Sequence, residues 1–205
     1  MDLAQRMEQQ KSSKELLKEQ RRGAAKPLLW IGIASMVMAF AGLTSGYIVS
    51  RSALLERENW LEFALPSYFY FSTAVIILSS VTMFWALKNA KLGNKSVLVL
   101  SLTVTLFLGI AFGVLQVLGW VKLTESGVFF TGEGSNPAGS WVYAITFFHL
   151  LHLIGGLITL LVTLIKANMG KYTVGNTLGV ELAAIFWHFL DLVWICLFMF
   201  LLFIR

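Results

Sequence analysis

Residues 186–194 read FWHFLDLVW and place His188 and Asp191 inside a run, 180–204, that is otherwise apolar. A run of this length reaches across a ~30 Å hydrocarbon core at 1.5 Å per residue. Without water to satisfy backbone N–H and C=O groups, it has to be an α-helix. Asp191 then lies ~16 Å into the span, near the midplane. An ionisable group there costs roughly 2.5–3.5 kcal/mol or more, so the two side chains need partners.

Outward from this helix the same pattern repeats. Apolar segments occupy approximately 28–50, 67–87, 97–121 and 139–165, each long enough to cross the bilayer. Of the 205 residues, 57% are hydrophobic and only 13% charged, and the mean hydropathy is +0.74. Soluble domains carry about 25% charged residues. The fold class is therefore an all-α membrane protein, a five-helix transmembrane bundle over residues 28–205. A polar tail, residues 1–27, precedes it and ends in RRGAAKP. Its low apolar content reads as a flexible cytoplasmic segment, with KELLKEQRR as a short surface helix at most.

The basic residues set the orientation. Seven Lys and Arg lie in the tail, three in the 88–96 connection and two in 166–179. The alternate side has two in 51–66, one in 122–138, and Arg205. Twelve against four puts the N-terminus in the cytoplasm and the C-terminus outside. The +5 net charge is thus a topology signal, and nucleic acid is not an expected partner. The outer connections hold LEREN and TGEGSNPAG, long enough to fold over the outer face. No glycine-rich phosphate loop and no CxxC pair is present, and the single Cys196 reads as a buried packing residue.

Inside the spans His149, His152, His188 and Asp191 lie at similar depth, with Glu181 at the cytoplasmic start of the last one. On the last helix Glu181, His188 and Asp191 share a face, Glu181 and His188 differing by about 20° and His188 and Asp191 by about 60°. The fourth segment carries FFHLLHLIGG, with His149 and His152 on one face and His152 ~18 Å in from the outer surface. The neighbouring Gly155 and Gly156 suit close helix packing. Three readings are open for this group: a metal or haem site, a proton or ion path, and a hydrogen-bonded cluster that pins helices together. Gln116, Ser72, Ser79, Ser80, Thr103 and Thr105 read as interhelical hydrogen-bonders. Trp30, Trp85, Trp120 and Trp141 fall at interfacial positions, whereas Trp187 and Trp194 read as packing residues.

FWHFLDLVW resembles the signature of the last helix in subunit III of the haem-copper terminal oxidases. FFHLLHLIGG resembles that family's HxxH segment in the preceding helix, and LGVELAAIFWHF its glutamate-containing entry to the last one. LGIAFGVLQVLGW matches an LGxxFxxxQ pattern, while SMVMAFAGLTSGYI and FSTAVIILSS resemble the helices ahead of it. Many relatives have seven spans; this chain is similar to the short bacterial forms that lack the first two. Met36 stands where many relatives carry an intramembrane glutamate, so a role tied to that carboxylate does not transfer. Gly119 replaces an acidic residue that often follows the glutamine motif.

The resemblance implies an accessory subunit with no catalytic, metal or cofactor residues of its own. Haem and copper would sit on partner subunits, chiefly the catalytic subunit I, with bound phospholipid on this chain. Other oxidase subunits, a larger respiratory supercomplex and membrane lipids are the further partners implied, in the bacterial inner membrane. The implied reaction of the complex is oxygen reduction by cytochrome c, coupled to proton pumping. A quinol oxidase is the alternative, and a stand-alone transporter with an intramembrane proton relay is the alternative from another class. A membrane di-metal oxygenase would need many more than three histidines. On this reading His188 and Asp191 bond to the fourth helix through His149 or His152, and Glu181 caps the start of its helix.

Overall fold

The computed structural model describes residues 3–55 and 60–204. Five helices make up the fold: α1 (Leu3–Leu55), α2 (Ser67–Leu92), α3 (Lys95–Glu125), α4 (Pro137–Asn168) and α5 (Leu178–Phe203). All five contain a stretch long and apolar enough to cross a membrane, and no strand occurs among the described residues. Four of the expected segments fall inside one helix each, and the fifth, 180–204, overruns α5 by one residue. Residues 56–59, most of LEREN, lie outside the described residues.

Helices α2 to α5 form a four-helix bundle in which α2 packs on α3 and α5, and α4 packs on the same two. Their buried positions recur every three to four residues, as in Phe69, Ser72, Ile76, Ser79 and Met83 of α2, the spacing of one helix face. Met83, Leu102, Phe112, Ile145 and Trp194 are fully buried within the core. Helix α1 stands outside this bundle, and among the described residues it packs against α4 and α5. Just 11% of its most apolar window is buried, against 28% to 39% for the other four. Most of α1 is therefore left to lipid or to another chain.

Turn chemistry explains the ends. Gly93 takes a left-handed φ of 75° and closes α2, its N–H bonding to Ala90 O while Asn94 N–H bonds to Asn89 O, the paired bonds of a glycine-terminated helix. At the start of α4 the Asn136 side chain accepts from Ala138 N at 2.9 Å and from Leu61 N at 3.2 Å. One residue thereby caps α4 and ties down the connection after α1, where Trp60 packs edge-on against Tyr47. Pro137 follows at the first helical position, where no amide is needed.

Two expectations are corrected. The tail is helical, continuous with the first span through Pro27, although that proline supplies no N–H to the Gly23 carbonyl. Good helix formers from Lys14 to Arg22 and two polar tethers account for it: Arg22 bonds to Asn176, and Lys26 pairs with Glu181 at 2.8 Å. Cys196 is exposed, lining a groove between α1 and α5 beside Phe40, Leu192 and Phe200. A run apolar on every side does not reveal which residues face inward. Of the four interfacial tryptophans, Trp30 and Trp85 are exposed, whereas Trp120 and Trp141 are half-buried.

Candidate functional site: a polar seam inside the bundle

The polar side chains of α5 engage α2. His188 places Nδ1 2.6 Å from Ser80 Oγ. Trp187 donates its indole N–H to Ser79 Oγ at 2.7 Å, and Trp194 donates to Thr73 Oγ1 at 3.0 Å. Between the two tryptophans of α5 the partners fall from Ser79 to Thr73 on α2, the register of an antiparallel pair. The seam continues onto α3, where Gln116 Nε2 donates to Ser72 Oγ at 2.9 Å and Thr82 lies 2.8 Å from Thr105. Between α3 and α4, Trp120 donates to Thr146 Oγ1 at 2.9 Å.

One device recurs along this seam. Thr73 and Ser72 donate to Phe69 O, and Thr146 donates to Val142 O. Each hydroxyl gives its proton to its own helix and keeps a lone pair for an N–H from another. Buried donors left unpaired cost about 1–3 kcal/mol, so this arrangement satisfies both partners at no exposed edge.

The expected cluster is divided by the structure. His188 and Asp191 share a face, but neither hydrogen-bonds to α4. The partner of His188 is Ser80 of α2. Asp191 is 3% exposed, and Ser80 is the side chain with which its carboxyl interacts. That contact falls short of hydrogen-bond geometry, and among the described residues neither carboxyl oxygen has a hydrogen-bond partner. Depth alone did not distinguish the two neighbours of α5. The hydroxyls lie on α2, whereas α4 offers α5 the bare surface of Gly156, where a Cβ would stand 2.7 Å from Leu190 and 3.2 Å from Trp187.

The histidines of α4 serve other contacts. His149 is 1% exposed and sits among aromatic rings, 5.2 Å from Trp194 and 5.9 Å from Phe112. His152 is half-buried and places Nδ1 2.7 Å from the Phe148 carbonyl oxygen, so that nitrogen carries a proton. Phe40 of α1 packs against both imidazoles, one α1–α4 contact beside that of Gly46 with Trp141. Glu181 stands apart at the start of α5, accepting from Thr177 Oγ1 at 3.0 Å and paired with Lys26. It therefore ties α1 to α5, and no backbone N–H at the helix start is capped by a side chain.

Among the described residues no three His, Cys, Asp or Glu side chains come together to hold a metal. Gly155 faces open space, so of the two glycines only Gly156 packs. Sequence reasoning missed Thr73 and Gly109. A Cβ on Gly109 would stand 2.6 Å from Trp187, and the clue was its place opposite that tryptophan at mid-span. Thr103, taken as an interhelical bonder, bonds instead to Val99 O of its own helix.

Comparison with known proteins adds the family. The cytochrome c oxidase subunit III family profile matches residues 62–204, which takes in α2 to α5 and the entire seam. A probable cytochrome c oxidase subunit 3 of Nocardia farcinica is 33% identical over 186 residues, covering 87% of this chain and 86% of that protein. The cytochrome c oxidase subunit 3 of Corynebacterium diphtheriae is 30% identical over 177 residues, 84% of each. That of Gallus gallus is 33% identical over 128 residues, 62% of this chain and 47% of that protein. The chain belongs to the cytochrome c oxidase subunit III family.

Proposed function

We propose that this chain is the non-redox accessory subunit of a proton-pumping haem-copper oxidase in aerobic respiration. It packs against the catalytic subunit I, stabilises it, organises phospholipid and supports proton uptake. Haem and copper belong to the partner subunits, cytochrome c is the electron donor, and the complex sits in the bacterial cytoplasmic membrane. One coincidence carries the reading: the family match covers the four bundle helices, and within it His188, Trp187, Trp194 and Gln116 spend hydrogen bonds holding those helices together. His188, one of the four relay candidates, is committed to α2 together with Trp187 and Trp194, and acts as a fastener.

The donor set fits an accessory role. The three histidines are divided between two seams, His188 against α2 and His149 with His152 against α1, and the one cysteine faces outward. Purification of the tagged full chain in mild detergent tests the reading. A haem-containing partner, visible in the absorption spectrum, is expected. A colourless protein that purifies alone would favour a stand-alone transporter. A quinol-oxidising complex separates from the proposed one by which donor drives oxygen uptake.

A further inference from the structure

The turn between α2 and α3 touches the connection between α4 and α5. A Cβ on Gly93 would stand 3.0 Å from Val174, and one on Gly170 would stand 3.7 Å from Lys95 Nζ. This contact gathers Lys91 and Lys95 with Lys166 and Lys171, all exposed. Among the described residues none of the four is in an ion pair, and the nearby carboxylate, Glu181, is already held by Lys26. The same turns expose Leu92, Met169 and Val174. With 26 residues in α2, the helix is ~39 Å long at 1.5 Å per residue, which carries its end past the hydrocarbon and into the headgroup layer.

We infer that these two turns form a binding surface for the headgroups of anionic phospholipids in the leaflet that the charge count assigns to the cytoplasm. Lysine charge meets the phosphates while Leu92, Met169 and Val174 enter the boundary of the acyl layer, the pairing that interfacial membrane contacts use. A bland role covers only half of the cluster. Lys91 and Lys166 lie in the last turns of α2 and α4, where cations suit the helix dipole. Lys95 opens α3, at the positive end of its dipole, and Lys171 lies beyond any helix. An orientation signal alone asks for lysines on this side, but not for their convergence beside exposed apolar tips. An acidic soluble partner would leave those tips unexplained.

The inference deepens the lipid-organising part of the proposed function and rests on it. The test uses the full chain, in whatever complex it purifies with, exchanged into bilayers of mixed phosphatidylglycerol and phosphatidylcholine and then re-extracted. Retained lipid is counted by mass spectrometry, and haem absorption is recorded on the same sample. Phosphatidylglycerol should be enriched, and salt should reduce the enrichment. Each lysine near an anionic surface is worth about fivefold in affinity, so changing all four to Gln should lower the enrichment by at least about tenfold. The four Lys→Arg changes should keep it, as should Lys122→Gln on the other face. Equal retention of both lipids by the unaltered chain would overturn the inference, as would enrichment that survives the Lys→Gln changes. Salt-sensitive loss of an acidic protein instead of lipid would also overturn it. Enrichment without haem would leave this surface standing while the oxidase reading failed, and haem without enrichment would do the reverse.

Discussion

The Trp187 indole N–H donates to the Ser79 hydroxyl at 2.7 Å across the α2–α5 seam, with both side chains buried. One residue further on each helix, His188 meets Ser80. Two successive residues of α5 thus read two successive residues of α2. The first pair faces the bundle centre beneath Gly109 and Gly156, and the second lies at its half-buried margin.

Removing either hydroxyl should destabilise the bundle. Interhelical hydrogen bonds in membrane proteins average near ~0.6 kcal/mol, less than an orphaned donor costs in a soluble core, because the unfolded chain in lipid also finds partners. We therefore expect Ser79→Ala and Ser80→Ala to cost about 1 kcal/mol each. Thr103→Ala should cost less, since that hydroxyl bonds only within its own helix. Unfolding in mixed detergent measures all three; equal costs would contradict the seam.

Close packing gives a sharper contrast between neighbours. A Cβ at position 156 meets Leu190 at 2.7 Å and Trp187 at 3.2 Å, while one at 155 meets nothing within 4 Å. Gly156→Ala should cost about 1–3 kcal/mol through overpacking. Gly155→Ala should be neutral or slightly stabilising, since alanine favours helix over glycine. The same unfolding assay, with recovery of folded chain as a second readout, checks the pair.

These residues also mark how far the sequence could be read. Hydropathy gave five helices because a bilayer leaves the backbone no alternative. The identity of Gln116, Trp187, Trp194 and Gly156 as interior residues followed from position and size. Partner choice did not. Asp191, His188 and His149 lie at one depth, but α5 borders both α2 and α4, and a one-dimensional depth cannot say which of them a side chain meets. Gly155 and Cys196 failed for a related reason: where lipid is as apolar as the core, hydrophobicity no longer marks the inside face. The helical tail was hidden because its support, the contacts of Arg22 and Lys26 with residues near 180, is tertiary.

The tether at the membrane surface should be weak. Lys26 and Glu181 are both partly exposed, and such pairs contribute about 0–1 kcal/mol. Glu181→Gln should shift unfolding by less than about 1 kcal/mol, with a smaller difference at high salt. A limited-proteolysis comparison at residues 22–26 would detect any loosening of α1, which the Arg22–Asn176 bond should restrain.

Orientation follows from the twelve-to-four distribution of basic residues. With Cys196 changed to Ser, single cysteines at positions 2 and 205 should react with an impermeant reagent from opposite sides of the membrane. Labelling of both ends from one side would rule out an odd number of spans.

The central claim is that the buried polar residues of the bundle serve its packing and take no part in the chemistry, and Asp191→Asn, at the buried carboxyl beside the seam, tests it most directly. Among the described residues neither Asp191 oxygen has a hydrogen-bond partner, and its interaction is with Ser80, so the amide, nearly the same size and still able to meet that hydroxyl, should fit with little loss. The altered chain should assemble with its haem-containing partner, and rapid-mixing measurement should show the first turnover of oxygen reduction at the unaltered rate. Full assembly with oxygen reduction abolished from that first turnover would contradict the account and give Asp191 a direct role in carrying protons.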